Sequence, residues 1–313
     1  MVPAAVIIAV FVFTAALLID ILIGDPRSGF HPVALIGRFI GWWGKPTLYP
    51  TWSQRLAGVL GWFITVAIFA LPFFLFANLS PWFIYLVLAP FLLKFCFAWR
   101  SLEEHTREVA DAVRNGVESG REKVRLLVSR DTAQLDREHI LSAGYESMTE
   151  NLTDSIISPL FYFSIFGLPG AAVYRAANTM DAMLGYRDER VRLGWFSARM
   201  DDILNFIPAR VTVLLLLLYF LTRGTFWRAL LVLKKDGHKR PGFNGGFVMA
   251  VMAGGVGIRF EKPGVYTIGD GERSLDDAGN DVIRATRIVT ILFAIFACSA
   301  VILLGSWVNS TGI

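Results

Sequence analysis

Four long apolar runs constrain this chain more than any other feature. Residues 2–19, 56–77 and 288–308 carry no charged side chain, and residues 82–99 carry one, Lys94. A helix rises about 1.5 Å per residue, so roughly 20 apolar residues cross about 30 Å of hydrocarbon. Within hydrocarbon every backbone N–H and C=O must be satisfied internally, which leaves helices or closed barrels. Unbroken apolar runs lack the alternation of a barrel strand, so they read as helices. Burial in a soluble core is the competing reading, and four such runs in 313 residues argue against it. Composition agrees, at 54% hydrophobic and 18% charged, against roughly 45–50% and about 25% for a soluble domain.

The first run has no basic segment before it and no small-x-small cleavage site after it. It therefore reads as a retained span, not a cleaved signal. Cys96 and Cys298 both lie inside apolar runs, away from any ligand partner, and read as small buried hydrophobes. The formal net charge of +4 is first a topology signal, because Lys and Arg are retained in cytoplasmic loops. No aromatic-interleaved recognition motif accompanies it, so no nucleic-acid partner is expected.

The expected fold is all-α: a polytopic integral membrane helical bundle, with broken or re-entrant helices and helical cytoplasmic loops. One membrane-embedded domain is expected over 1–313. Full spans fall at 2–23, 56–77, 82–99 and 288–308. Residues 156–177 are interrupted by Pro159, Gly167 and Pro169, and residues 203–221 by Pro208 and Arg210. These two segments are the broken or re-entrant candidates. Polar stretches at 24–55, 100–155 and 223–287 separate the runs. In the second stretch Leu102, Val109 and Val113 recur at helical spacing up to the stop signal Asn115-Gly116. Residues 123–129 read as a further short helix, and 136–154 as another, with Asp136 as N-cap.

Chemistry concentrates between Arg130 and Arg210. Glu150 and Asp154 are four apart and share a helix face, with Asn151 beside them. Asn178 and Asp181 are three apart, and Asp201, Asp202 and Asn205 form a second acid-amide set. Such hard oxygen donors suit Mg²⁺, which takes one or two carboxylates together with waters and phosphates. Arg130, Arg199 and Arg210 supply forks for phosphate or carboxylate oxygens. Structural ion pairs are the bland alternative for each residue, but charges beside apolar sequence are expensive and tend to be functional. No P-loop, Rossmann turn, zinc pattern or nucleophile elbow is present. The glycine-rich stretch from Gly242 to Gly257 fits a phosphate cradle or close helix packing.

Taken in order, these blocks resemble the adenosylcobinamide-phosphate synthase family of cobalamin biosynthesis. The resemblance is carried by GDP at 24–26 with HPV from His31 and by RDT from Arg130. It continues through EN-x-x-D from Glu150 to Asp154 and SPLFY from Ser158. NT-x-D from Asn178 to Asp181 follows, then Gly185-Tyr186 with Glu189-Arg190. W-x-x-AR-x-DD-x-x-N-x-x-PAR spans Trp195 to Arg210, and KPGVY begins at Lys262. The segment at Asn244 departs from the family pattern, with Phe247 and Val248 where an aromatic and a proline are usual.

The resemblance implies a membrane-bound ligase. It would join (R)-1-amino-2-propanol phosphate to a carboxylate of cobyric acid as an amide, giving adenosylcobinamide phosphate. ATP would be the co-substrate and Mg²⁺ the cofactor. Carried onto this chain, it implies catalytic roles for Glu150, Asp154, Asp181, Asp201 and Asp202, the last three as metal ligands. Substrate and phosphate contacts are implied for Arg130, Asn151, Asn178, Tyr186, Arg199, Asn205 and Arg210, and for His31, Asn244 and Lys262. Membrane lipids and other cobalamin-assembly enzymes are the implied partners, with the active-site loops on the cytoplasmic face of the cell membrane. A Mg²⁺-dependent membrane phosphotransferase and a membrane transporter are the competing classes. Product identity separates the first, and transport in sealed vesicles without covalent change separates the second.

Overall fold

The computed structural model describes residues 4–25 and 31–311, with side chains described as far as Leu303. Pro26 of the GDP block and the side chains of 304–308 lie outside that range. The chain is an all-α membrane protein with one small hairpin among the described residues. Four helical stretches are long and apolar enough to cross a membrane: Ala4–Ile23, Gln54–Leu79, Arg137–Leu184 and Leu275–Leu303. A broken pair, Trp195–Leu204 and Phe206–Thr222, qualifies as a fifth. By contacts the chain divides into two compact units.

The first unit comprises Met1–Ala98, Ser158–Asn205 and Ala294–Ile313. Its helices are α1 (Ala4–Ile23), α2 (Pro32–Trp43), α3 (Gln54–Leu79), α4 (Trp82–Lys94), α8 (Ser158–Leu184) and α9 (Trp195–Leu204). Ile36, Ile40, Trp43, Trp62, Met180, Leu184 and Leu193 form a buried core where α2, α3 and α8 meet. The apolar run 82–99 yields a helix only as far as Lys94, 13 residues long, or about 20 Å. Lys94 explains the stop. Its buried ammonium lies 3.6 Å from Asp20 on α1 and bonds Asp25, so the chain turns there instead of continuing into hydrocarbon. The break expected in 156–177 falls at Gly167, whose φ of 65° and ψ of −156° lie outside the helical region. Only glycine adopts such a conformation at low cost.

The second unit comprises Trp99–Ile157 and Phe206–Phe293. It contains α5 (Arg100–Asn115), α6 (Val117–Val124), α7 (Arg137–Asn151), α10 (Phe206–Thr222), α11 (Phe226–Asp236) and α12 (Gly245–Val256). It also holds the first part of α13 (Leu275–Thr311), which begins well before the expected 288. α5 ends at Gly116 as the Asn-Gly signal requires, and Asp136 caps α7 by accepting from the His139 N–H at 3.0 Å. The short helix expected at 123–129 lies instead at Val117–Val124. Gly116, at φ 147°, restarts the chain at once, and the Glu118–Arg121 pair at 3.0 Å supports the turn that follows.

A hairpin absent from the sequence reading, β1 (Phe260–Lys262) with β2 (Tyr266–Ile268), pairs antiparallel around Pro263-Gly264. Asp236, fully buried at the end of α11, accepts from the Gly269 N–H at 2.8 Å and anchors that hairpin. α12 is buried along nearly its whole length. A Cβ on Gly255 would lie 2.2 Å from the Phe220 ring, and one on Gly254 would lie 2.9 Å from the Arg228 carbonyl. These glycines serve close packing against α10 and α11.

Candidate active site

The helix α7 presents Glu146 and Glu150, four residues apart, on one face, and then changes pitch. Residues Leu152–Ile157 form a π-helix, a distortion that re-aims side chains and recurs at functional sites. Within the second unit, α7, the segment after α6 and the β1–β2 hairpin enclose a cavity of about 310 Å³. Arg130, Glu146, Ser147, Glu150, Asn151, Arg240, Lys262 and Tyr266 line it.

Glu146 organises one wall. Its buried carboxylate accepts from Arg130 Nη2 at 2.6 Å, from Ser142 Oγ at 2.5 Å and from Tyr266 Oη at 2.7 Å. Ser142 Oγ in turn accepts from the Glu261 N–H at 2.7 Å, tying β1 to α7. Burial, and then the Glu146 charge, push the Tyr266 phenol well above its ordinary range, so it stays a donor. Arg130 Nη1 is buried without a hydrogen-bond partner. One end of this guanidinium is therefore fixed on Glu146, while the other end is an unsatisfied donor.

Beside Glu146 on the same face of α7, Glu150 bonds Arg240. Burial works against the Arg240 charge, but Glu150, Tyr266 and Asp154 outweigh it and raise its affinity for the proton. Lys262 lines the same cavity and makes no ion pair among the described residues. Three cations thus face two carboxylates, an excess that suits a small anion such as a phosphate group.

The acid-amide set of the first unit is built around Asn205, which is buried and closes α9. Its Oδ1 accepts from Ser158 Oγ at 2.6 Å and Tyr174 Oη at 2.8 Å, while its Nδ2 donates to Asp201 Oδ2 at 2.9 Å. Asn178 Nδ2 donates to the other oxygen of Asp201 at 3.2 Å. The Asp201 carboxylate is thus oriented by two amides. Asp202 lies 3.7 Å from Arg199, both partly exposed. Asp181 folds over the end of α8, where a Cβ on Gly185 would lie 2.1 Å from its Oδ1. Among the described residues no three His, Cys, Asp or Glu side chains converge to hold a metal ion. A hexahydrate-like Mg²⁺ needs no such cage, since waters and phosphates fill most of its positions. The oriented Asp201 carboxylate, with Asp202 beside it in sequence, fits that demand.

The sequence-predicted residues fall into separate groups. Arg130, Glu150, Asn151 and Lys262 meet in the cavity, with Asp154 in the electrostatic field of Arg240. Asn178, Asp201 and Asn205 meet in the first unit. Arg210 bonds Asn244 and lies over the Phe206 ring at 4.0 Å. His31 caps α2 through Val33 at 3.3 Å, and its Nε2 lies 3.4 Å from Asp25. Tyr186 carries the Arg190 guanidinium over its ring at 4.0 Å. Sequence reasoning passed over Arg240, Glu146 and Tyr266. The spacing of Glu146 to Glu150 and the Pro-Gly turn before Tyr266 were the available signals.

Residues 13–295 match the CobD/Cbib protein family. The chain belongs to that family. A protein of Methanothermobacter thermautotrophicus named "Probable cobalamin biosynthesis protein CobD" is 38% identical over 94% of this chain and 99% of its own length. A Pyrococcus abyssi protein of the same name is 43% identical over 89% of this chain and 91% of its own. One from Thermococcus kodakarensis is 39% identical over 95% and 96%. No solved structure matches the chain. The family match takes in both the cavity residues and the acid-amide set.

Proposed function

We propose that this membrane protein acts in cobalamin biosynthesis, as the ATP-dependent ligase that joins (R)-1-amino-2-propanol phosphate to cobyric acid through an amide. The observation that carries this reading is the family match across residues 13–295. It is supported by a cation-rich cavity of about 310 Å³ built from residues inside that match.

A carboxylate is a poor electrophile, because its negative charge repels a nucleophile and oxide is a poor leaving group. In the proposed reaction a cobyric acid carboxylate oxygen attacks the γ-phosphorus of ATP and ADP leaves. The amine nitrogen then attacks the acyl carbon, phosphate leaves with the C–O bond electrons, and the nitrogen loses a proton. Arg130 Nη1, Arg240 and Lys262 bind phosphate oxygens, and Tyr266 fixes Glu146 and hence Arg130. Glu150, bonded to Arg240, takes up the proton released by the amine. Asp201 and Asp202 would hold Mg²⁺, whose charge offsets that of the nucleotide phosphates. The residues that bind the nucleotide would lie on the cytoplasmic side, where it is available.

The test is the purified full chain with cobyric acid, aminopropanol phosphate, ATP and Mg²⁺, with corrinoids read by mass spectrometry. Formation of the amide-linked phosphate with equimolar ADP supports the reading. Phosphoryl transfer to another acceptor without amide formation would replace it.

A further inference from the structure

Between Asp25 and Glu103 the sequence holds no carboxylate, yet Arg38, Lys45 and Arg55 lie within that stretch. Residues 32–79 of it form α2, a 3₁₀ turn at Pro46–Leu48 and α3. Between these elements, within the first unit, lies an apolar groove of about 630 Å³. Phe39, Trp42, Trp43, Tyr49, Leu60 and Ile64 form its walls, and Lys45 lines it where α2 has just ended. The volume lies within the range of small-molecule sites, roughly 300–1,000 Å³.

The walls are fixed by hydrogen bonds. Trp43 Nε1 donates to Thr65 Oγ1 at 3.2 Å, Tyr49 Oη donates to the Trp43 carbonyl at 3.0 Å, and Gln54 Nε2 donates to the Pro46 carbonyl at 3.2 Å. Gly61 keeps α3 close to α2, since a Cβ there would lie 2.4 Å from the Trp43 ring. The groove opens outward. Only 17% of the apolar window of α3 is buried, and Trp42 and Trp52 are 72% and 83% exposed. Tryptophans beside a basic loop at the end of a span mark the membrane–water boundary. Lys45 is exposed and makes no ion pair among the described residues.

We propose that this groove binds one anionic phospholipid. An acyl chain lies along Phe39, Leu60 and Ile64, and the headgroup phosphate sits at Lys45. Charge complementarity selects this occupant. The cation is uncompensated, and no carboxylate in the segment meets the ammonium of a zwitterionic headgroup. A second copy docking symmetrically on the same face would set these cations against their own counterparts. The site is independent of the ligase reading.

Native mass spectrometry of the detergent-purified full chain, titrated with equal amounts of phosphatidylglycerol and phosphatidylcholine, tests this. One phosphatidylglycerol is expected to be retained in preference. K45Q should weaken its retention about fivefold, the weight of one cation at an anionic interface, and leave phosphatidylcholine unchanged. L60W, which fills the groove from an exposed position, should expel the lipid while the far-UV circular dichroism and gel-filtration profile stay native. Equal retention of both lipids, insensitivity to K45Q and L60W, or a lipid-free dimer that L60W dissociates would each overturn the proposal.

Discussion

Replacing Glu146 with alanine should destabilise the protein out of proportion to the atoms removed. The carboxylate is buried and takes three hydrogen bonds, from Arg130, Ser142 and Tyr266. Arg130 Nη1 has no partner even with Glu146 in place, so removing Glu146 orphans the guanidinium at both ends. Breaking a buried pair by deleting one partner costs about 3–5 kcal/mol. Most of that is the stranded charge, not the lost bonds. E146Q keeps the shape and an acceptor, so its cost should be nearer about 1.5–3 kcal/mol, the range for a hydrogen bond to a charged group. Replacing both residues, as R130M with E146L, removes the stranded charge and should recover most of the E146A loss. SDS-induced unfolding in mixed micelles, followed by circular dichroism, of wild type, R130M, E146L and the double variant gives the four free energies of a cycle. A coupling of about 2 kcal/mol or more is expected. If E146A costs under about 0.5 kcal/mol, or if the two losses simply add, the cavity wall is not organised as described.

Three further outcomes follow from the geometry. Asn205→Ala removes an acceptor for Tyr174 and Ser158 and a donor to Asp201. It should cost about 2–4 kcal/mol in thermal unfolding and abolish activity, whereas a loss confined to activity would mean the amide is not a packing element. Gly185→Ala places a Cβ 2.1 Å from Asp181 Oδ1. The carboxylate must move, so kcat/KM should fall if Asp181 serves the reaction, while an unchanged kcat/KM would remove it from the site. On the acid side, burial opposes ionisation of Glu103, but its bonds to Arg287 and Arg107 lower its pKa below the ordinary 4.5. The His139 N–H and ring lower Asp136 below 3.8. Groups with depressed pKa stabilise the fold fully above those ordinary values and lose that contribution as pH falls through the folded pKa. Stability of the α5–α7 region by hydrogen exchange should therefore be level down to about pH 4.5 and decline below it, and a decline beginning near pH 6 would point to histidine instead.

The membrane helices were readable because apolar length is a direct physical requirement of the bilayer. The exceptions have local causes. The run at 82–99 looked like a span because hydropathy counts Lys94 as one charge in eighteen. It cannot register that Asp20 and Asp25 draw that ammonium into a buried cluster and turn the chain. The start of α13 at Leu275 was hidden because its first turns are charged and amphipathic. The three-residue strands of the hairpin are too short for alternation to register.

At the site, Arg130, Glu150, Asn151 and Lys262 were legible as members of motifs, but their meeting in one cavity was not, since 132 positions separate Arg130 from Lys262. Arg240 lies in a run of basic residues that reads as a solvated loop, and only the fold places it against Glu150. Glu146 lies within an apolar-polar mixture where nothing local distinguishes a buried network from a surface acid. The Gly242–Gly257 stretch was ambiguous between cradle and packing. The Phe220 ring and the Arg228 carbonyl against Gly255 and Gly254 assign those two glycines to packing.

In the proposed reaction the cavity cations bind the phosphate of the amine substrate. Steady-state kinetics of K262M and R240M against wild type, varying aminopropanol phosphate and unphosphorylated aminopropanol in turn, test it most directly. Each variant should lose tenfold or more in kcat/KM for the phosphorylated amine, on the order of 1.4 kcal/mol or more, and little for the unphosphorylated one. Equal losses for both amines, or full activity with either, would contradict it.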